Sequence, residues 1–209
     1  MARHYVLSFI IFIVVLLPGC GGRVLDWARA SVNQGCSLPD CYSTAGRYVH
    51  SVSLYDQFTT SAIFDAMWIS CEVLRAYANM WALKNNKSDL ELEQFADQIF
   101  SEHESYITFY VLSLYDVPLN NDESLWSFFL EVEGRIYQPV ELALVELDPL
   151  YQRLFGRYFT LFKVPYAIKF RNTDAEGNDI ITKKTHTISL VARSVEKEGK
   201  MSWCLDHRD

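Results

Sequence analysis

The stretch WSFFLEVEGRIYQPVELAL, residues 126–144, decides the fold class that we predict for this chain. Its first half alternates apolar positions with mainly polar ones, which is the period of a β-strand with one buried face. Glu133 and Gly134 follow, and a glycine there permits a tight reversal into a second strand over residues 135–144. The stretch therefore predicts an antiparallel β-hairpin and a sheet in the second half of the chain.

Similar strand patterns surround this hairpin between residue 105 and residue 209. We predict strands at residues 105–115, 125–132, 135–144, 158–171, 180–193 and 200–205. Turn-forming residues separate them, among them Asp148-Pro149 and residues 174–179. Short strands with this spacing favour an antiparallel β-sandwich over a parallel sheet, so residues 105–209 are assigned to a sandwich.

The preceding segment, residues 47–104, predicts a helical hairpin. Between residues 58 and 84 apolar side chains recur at intervals of three and four, which is the spacing of an amphipathic helix. Ser88 and Glu91 form a capping-box pattern at the start of a second helix, which we expect to run to about His103. The predicted fold class is therefore α+β, with an N-terminal amphipathic helical hairpin followed by an antiparallel β-sandwich.

Composition and charge exclude two broad classes of protein. Half of the 209 residues are hydrophobic, with 13 Phe, 12 Tyr and 5 Trp, which is too much apolar mass for a disordered chain. The 19 basic residues are outnumbered by 26 acidic ones, so the formal net charge is -7. That sign opposes binding to phosphate backbones, and no nucleic-acid partner is predicted.

The first 19 residues have the layout of an export signal. Arg3 precedes an apolar run over residues 5–17, and Pro18 and Gly19 follow it. A helix of this run would span about 20 Å, which is short of the roughly 30 Å hydrocarbon core of a bilayer. We therefore predict a signal peptide over residues 1–19 rather than a membrane-spanning anchor.

The block Leu17-Pro18-Gly19-Cys20 resembles the lipobox of bacterial lipoproteins, although Pro18 differs from the usual small or aliphatic residue. The resemblance implies cleavage before Cys20 and acyl chains, such as palmitate, on that cysteine, so the membrane becomes a partner through covalent lipid. An ordinary signal peptide with a nearby cysteine is the alternative. Residues 20–46 are rich in Gly, Ser and Asn and are predicted to form a lipidated tether.

The residue after the lipobox bears on the membrane that would hold the protein. Gly21 follows Cys20, whereas an Asp at that position retains enterobacterial lipoproteins in the inner membrane. The resemblance therefore implies a cell-envelope protein that faces the periplasm or the exterior, with the outer membrane favoured if the organism has one.

Four further cysteines leave the disulfide pattern partly open. Cys36 and Cys41 enclose a Pro-Asp turn, and closing so short a loop would stabilise the fold by about 2 kcal/mol. A metal or redox pair is the alternative, but the spacing lacks the two-residue separation of those motifs. Cys71 and Cys204 are expected either to pair with each other or to remain buried thiols.

The sequence has no motif that carries catalytic chemistry, so no catalytic residue and no cofactor are predicted. Zinc, nucleophile-elbow, phosphate-loop and dinucleotide patterns do not occur in it. Cys71 with His103 or His186 as a base is disfavoured because Cys71 falls on an apolar stretch of a predicted helix. Glu131 and Glu133 share a strand face, but solvated carboxylates at a hairpin tip explain that pattern.

An acidic turn is the one place where the sequence offers metal ligands. Asp174, Glu176, Asn178 and Asp179 carry the oxygen atoms that calcium prefers. Gly177, however, does not stand where the calcium-loop pattern requires its glycine. We therefore predict a hairpin loop without metal, and these four residues are weak candidates only.

The order of the predicted elements resembles envelope lipoproteins of uncharacterised function that join a helical hairpin to an immunoglobulin-like sandwich. This resemblance implies a lipid-anchored, non-catalytic protein that presents a binding or scaffold surface to an envelope protein. Exposed aromatics around residues 151–162 are the candidates for that surface. The alternative is a cell-wall or envelope hydrolase with dispersed catalytic carboxylates, which would require a concave pocket with converging titratable groups.

Overall fold

The computed structural model describes residues 49–56, 59–119 and 124–205, which belong to one unit of the chain, Cys41–Asp209. The strands are β1 Val49–Asp56, β2 Thr59–Trp68, β3 Tyr106–Leu114, β4 Ser127–Val132, β5 Arg135–Tyr137, β6 Glu141–Leu144, β7 Lys163–Arg171, β8 Thr187–Arg193 and β9 Glu198–Cys204. The helices are α1 Cys71–Lys84, α2 Asp89–His103 and α3 Pro149–Phe155, followed by a 3-10 turn, Gly156–Tyr158. The predicted signal peptide, tether and Cys36–Cys41 bridge lie outside the described residues.

The strands form two antiparallel sheets. The larger sheet has the order β1-β2-β3-β7-β6, and the smaller sheet has the order β5-β4-β8-β9. Helices α1 and α2 lie between β2 and β3 in the chain, although these two strands are direct neighbours in the sheet. The fold is therefore α+β and mostly strand, which confirms the predicted class at this level.

The main hydrophobic core lies between the two sheets. Phe64, Phe109 and Ile168 of the larger sheet and Phe128 and Leu190 of the smaller sheet are fully buried in it. The Phe64 and Phe128 rings meet edge to face, with their centroids 5.3 Å apart. Burial of each such side chain contributes roughly 1.5–3 kcal/mol, so this interface is the principal source of stability for the sandwich.

A second core joins the helices to the outer face of the larger sheet. Met67 and Leu112 of the sheet pack against the apolar faces of all three helices. Aromatic rings also join the helices to one another: Tyr77 of α1 stacks on Tyr151 of α3, with the ring centroids 4.4 Å apart. Burial among these rings raises the pKa of the Tyr151 hydroxyl far above its usual range, so Tyr151 stays neutral. The described residues thus form three layers.

The predicted hairpin at residues 126–144 is confirmed in its first part. β4 pairs with β5 in the register Leu130 to Tyr137, and the alternate residues of β4 are buried. Glu133 and Gly134 both adopt positive φ angles, 47° and 78°. Two successive positive φ angles belong to the type I′ turn, whose twist matches that of the flanking strands, and glycine adopts such angles without steric cost.

The predicted helical hairpin is wrong at its start, because residues 49–56 and 59–68 are strands. Ala62, Phe64 and Ala66 face the sandwich core while Met67 faces the helices, so β2 is buried on both faces. A strand buried on both faces loses its alternation and is easily mistaken for a helix. The N-terminal position assigned to the helices is also corrected, since β1 and β2 precede them.

The helices begin where side chains cap them. The Ser70 hydroxyl accepts a hydrogen bond from the Val73 N–H at 3.3 Å, and α1 starts immediately after Ser70. The predicted capping box is confirmed at α2, where the Ser88 hydroxyl accepts from the Glu91 N–H and the Glu91 carboxylate accepts from the Ser88 N–H. These bonds satisfy amides that a helix start leaves without partners.

Three predicted strands are shorter than expected. The stretch 135–144 splits into β5 and β6, which join different sheets, and Pro139 between them has no N–H for a strand ladder. The stretch 158–171 becomes a strand only at Lys163, and the stretch 180–193 only at Thr187. Helix α3 was not predicted, although Asp148 caps it and Pro149 occupies its first turn.

Candidate functional site

Exposed apolar side chains gather at one end of the sandwich. Half of the twelve large hydrophobic side chains that are exposed in the described residues lie there. We call this set the apolar loop end, and it comprises Tyr55, Tyr115, Leu125, Leu161, Phe162 and Val195. Leu161 and Val195 are each 99% exposed and Tyr115 is 82% exposed, so these side chains extend into solvent. Scattered exposed apolar residues are ordinary, but a group on adjacent loops marks a candidate binding surface.

Hydrogen bonds hold these loops in a defined arrangement. The Tyr115 N–H donates to the Phe162 carbonyl at 3.0 Å, which joins the loop after β3 to the segment before β7. The fully buried Ser113 hydroxyl donates to the Val117 carbonyl at 2.8 Å. These contacts show that the apolar side chains stand on a supported backbone.

The turn between β8 and β9 is tied to the first hairpin. The Ser194 N–H donates to the Lys197 carbonyl at 2.8 Å, which leaves Val195 and Glu196 at the tip of the turn. The Lys197 ammonium donates to the Tyr55 carbonyl at 2.7 Å. Residues of both sheets are therefore fixed to one another at the apolar loop end.

A cleft of about 410 Å³ opens within the apolar loop end, and we call it the loop cleft. This volume lies within the roughly 300–1,000 Å³ range of ligand sites. Trp126 is nearly buried and packs edge to face on Phe64, so one part of the cleft lining belongs to the rigid core. The residues that line the cleft are Ser61, Asp116, Val117, Pro118, Leu125, Trp126, Ser194, Val195, Glu196 and Lys197.

Two carboxylates give the loop cleft an acidic character. Asp116 and Glu196 are both exposed, and they belong to the loop after β3 and to the β8–β9 turn. Neither has a hydrogen-bond or ion-pair partner among the residues that the structure describes. Among the described residues that line the cleft, Lys197 alone carries an ammonium, and it donates to the Tyr55 carbonyl. An apolar cleft with two exposed carboxylates is complementary to a ligand that is apolar and positively charged.

The four weak metal candidates lie in one turn, where hydrogen bonds within the turn engage the Asp174 carboxylate. The Asp174 carboxylate accepts hydrogen bonds from the Glu176 and Asn178 N–H groups, each at 2.9 Å. These bonds, that from Asn178 foremost, lower the pKa of Asp174. In the part of the chain that the structure describes, which includes Asp179, no three His, Cys, Asp or Glu residues group as metal ligands.

The structure brings Cys71 and His103 into one cleft of about 570 Å³, beside the start of α1. Cys71 is the first residue of α1 and is exposed, so the expectation of a buried position on an apolar stretch is wrong. The His103 ring nitrogen Nδ1 lies 3.0 Å from the Ile99 carbonyl. Cys204 is also exposed, and neither cysteine forms a disulfide.

The paired glutamates at the hairpin tip have structural partners. Glu131 forms an ion pair with Lys200 at 2.8 Å, and the Glu133 carboxylate accepts from the His186 N–H at 2.8 Å. A further pair, Arg193 with Glu198, continues along the outer face of the smaller sheet. This face therefore satisfies its charges internally, unlike the loop cleft.

The predicted surface of exposed aromatics around residues 151–162 is found only at Phe162. Within residues 151–162, Tyr151 and Phe155 are buried and only Phe162 among the aromatics is exposed. Leu125 and Val195 were not singled out. In the sequence, each of these two side chains is an apolar residue in a turn segment, such as Arg193-Ser194-Val195-Glu196, where the alternation typical of a strand stops. An isolated apolar residue in such a segment is the one sign of an exposed position.

None of the helices in the described residues has both the length and the apolar character that crossing a membrane requires. Comparison of the chain with protein-family models, with curated protein sequences and with solved structures finds no match.

Proposed function

We propose that this chain is a lipid-anchored, non-catalytic protein of a bacterial cell envelope that binds another envelope protein through its apolar loop end. The gathering of six exposed hydrophobic side chains on adjacent loops carries the proposal. Burial of each side chain in a complex would contribute up to roughly 1.5–3 kcal/mol, before the cost of association. A surface of this kind is costly to leave in water and is typical of a binding site.

We further propose that the sandwich is related to the immunoglobulin fold. The strand orders β2-β3-β7-β6 and β5-β4-β8-β9 agree with the A-B-E-D and C′-C-F-G sheets of that fold. β1 would then be an added edge strand, and α1 and α2 an insertion between the first two strands. In this correspondence the apolar loop end contains the B–C and F–G loops, which antibody domains use for recognition, so the analogy supports a binding role.

The chain joins the lipobox-like block to the start of β1. The lipobox-like block ends at Cys20, and the described chain enters β1 at Val49. β1 ends at Asp56 beside the apolar loop end, and a strand of eight residues spans about 26 Å. The described chain therefore enters the sandwich at the end opposite the apolar loop end. Gly21 favours the outer membrane as the location if the organism has one.

The anchor is tested by Cys20→Ser. We expect this variant to remain unprocessed or to leave the membrane fraction, whereas the control Cys204→Ser, which changes an exposed free thiol, should stay processed and membrane-bound. Membrane partitioning and the intact mass of the protein are the measurements. An unchanged mass and unchanged partitioning in Cys20→Ser would disprove the lipid anchor.

The binding role is tested by a photo-cross-linking amino acid placed at Val195 in cells that make the protein. We expect one discrete cross-linked species from Val195 and the same species from Leu161. Leu83 at the end of α1 is the matched control, since it is a similarly exposed apolar residue that does not line the loop cleft. Equal cross-linking at all three positions, or none at Val195 and Leu161, would contradict binding through the apolar loop end.

A further inference from the structure

We propose that the loop cleft binds an extended peptide segment in which an apolar side chain stands next to arginine or lysine. The inference rests on the proposed function, because it specifies the partner segment that the apolar loop end would recognise. Its first support is the shape of the site. The cleft has room for a few side chains and lies between the loop after β3 and the β8–β9 turn.

The apolar part of the specificity comes from the lining. Trp126 and Val117 offer apolar surface inside the cleft, and Leu125 and Val195 stand exposed at its border. An aliphatic or aromatic side chain of the partner would remove all of these surfaces from water together. A polar side chain in the same place would gain nothing from them.

The positive charge comes from electrostatic complementarity. Asp116 and Glu196 line the cleft without hydrogen-bond or ion-pair partners in the described part of the chain. The Lys197 ammonium, which also lines the cleft, donates a hydrogen bond to the Tyr55 carbonyl. A guanidinium is favoured over an ammonium, because it forms paired hydrogen bonds with carboxylates.

The extended form of the ligand follows from the surface beyond the cleft. Tyr115 directly precedes Asp116 in the cleft wall, and its N–H is bonded to the Phe162 carbonyl. Leu161 adjoins Phe162 and is almost fully exposed, so the apolar surface continues past the cleft along these residues. A small molecule in the cleft would leave this surface in water, whereas an extended chain would cover both.

The charges also favour a peptide over a bilayer. Insertion of the apolar loop end into a membrane would bring Asp116 and Glu196 to the headgroup region, where anionic lipids repel carboxylates. A basic residue of a peptide would instead form favourable ion pairs with the same two carboxylates. Binding to a membrane is therefore treated as a competing outcome in the test.

The test is binding of the full-length chain, purified in non-ionic detergent, to nine labelled decapeptides. Each has a central Leu, Phe or Gly flanked on both sides by Arg, Gln or Glu in a Gly-Ser background. Fluorescence anisotropy should give Kd values about three- to tenfold lower for Arg than for Gln flanks, with Glu weakest, and lower for Leu or Phe than for Gly. Added salt should reduce the preference for Arg.

Paired variants assign the two parts of the specificity. Asp116→Asn with Glu196→Gln should remove the preference for Arg and keep the preference for Leu and Phe. Val195→Asp should weaken binding to all Leu and Phe peptides. The control, Glu93→Gln with Asp97→Asn on α2, should change neither preference, and thermal unfolding should verify that each variant is folded.

The peptide measurements can fail without contradicting the proposed function, because the two are tested by different experiments. Equal Kd values for Arg and Gln flanks, or no binding of any peptide, would overturn this inference, while the cross-linking at Val195 tests the binding role separately. The protein could instead bind phosphatidylethanolamine–phosphatidylglycerol vesicles in a way that depends on Val195 and show no preference among the peptides. That result would make a membrane, and not a peptide, the ligand of the apolar loop end. Cleavage of the peptides, detected by mass, would replace both proposals with a hydrolase.

Discussion

The ammonium of Lys163 forms an ion pair with the carboxylate of Asp65 across β3, the strand that separates β7 from β2. The Asp65 side chain is 2% exposed and that of Lys163 is 13% exposed. The Ser51 hydroxyl of β1 also donates to Asp65. Groups from three strands of the larger sheet therefore meet at one buried carboxylate, on the face that carries the helices.

We predict that Lys163→Met destabilises the protein by about 3–5 kcal/mol, because it leaves the Asp65 carboxylate buried without its counter-charge. Urea unfolding measures the change. The double variant Asp65→Val with Lys163→Met should recover most of the loss, since it removes both charges. The control is Lys169→Met, whose partner Glu141 is largely exposed, and its cost should stay at about 0–1 kcal/mol. Equal costs for the two lysine variants would contradict this account.

A second prediction concerns the capping box of α2 at low pH. Hydrogen bonds from the Lys87 side chain and then from Ser88 lower the pKa of Glu91 to about 2. Since the folded state favours the charged form, this stabilisation is complete above the ordinary pKa of a glutamate and is lost as the pH falls through about 2. The difference in Tm between the wild type and Glu91→Gln should therefore shrink between pH 5 and pH 2.

Two further variants check the source of this effect. Ser88→Ala removes the capping hydroxyl and should cost about 1 kcal/mol at neutral pH. Glu93→Gln is the matched control on the same helix, because Glu93 has no hydrogen-bond or ion-pair partner among the described residues. A Tm difference for Glu91→Gln that stays constant down to pH 2 would refute the role assigned to the charge.

The capping box and the Glu133-Gly134 turn were predicted correctly because their signals are local. Ser88 and Glu91 satisfy each other within one helical turn, and Gly134 permits a conformation that other residues resist. β2 was misassigned for the opposite reason. Its burial depends on helices and on strands that are distant in sequence, so no periodicity within residues 59–68 could reveal it.

The candidate site was less predictable than the fold. Asp116 and Glu196 are 80 positions apart in the sequence and share a cleft only because β3 and β8 end on the same side of the sandwich. An isolated acidic residue in a turn carries no signal of that proximity. The acidic turn at Asp174 stood out in the sequence instead, and there the carboxylate serves the turn itself.

A third prediction concerns the contact between β1 of the larger sheet and β9 of the smaller sheet. Gly199 of β9 is buried, and a Cβ atom added to it would lie 2.8 Å from Cγ2 of Val52 and 3.2 Å from Cδ2 of Leu54. Gly199→Ala should therefore cost about 1–3 kcal/mol in the free energy of unfolding, as overpacking does. Val52→Ala should offset part of this cost in the double variant, and strictly additive costs would argue against a direct contact.

The fourth prediction concerns the state of the cysteines. Cys71 and Cys204 are exposed and free, so iodoacetamide should label both in the native protein without denaturant.

The short spacing of Cys36 and Cys41 around a Pro-Asp turn predicts that these two are joined and resist labelling until a reductant is added. Non-reducing peptide mapping distinguishes the cases: labelled Cys36 and Cys41 would remove that bridge, and a Cys71–Cys204 peptide would contradict the free thiols. If the bridge is present, Cys36→Ser with Cys41→Ser should cost about 2 kcal/mol, because the unfolded chain regains the freedom that the closed loop had removed.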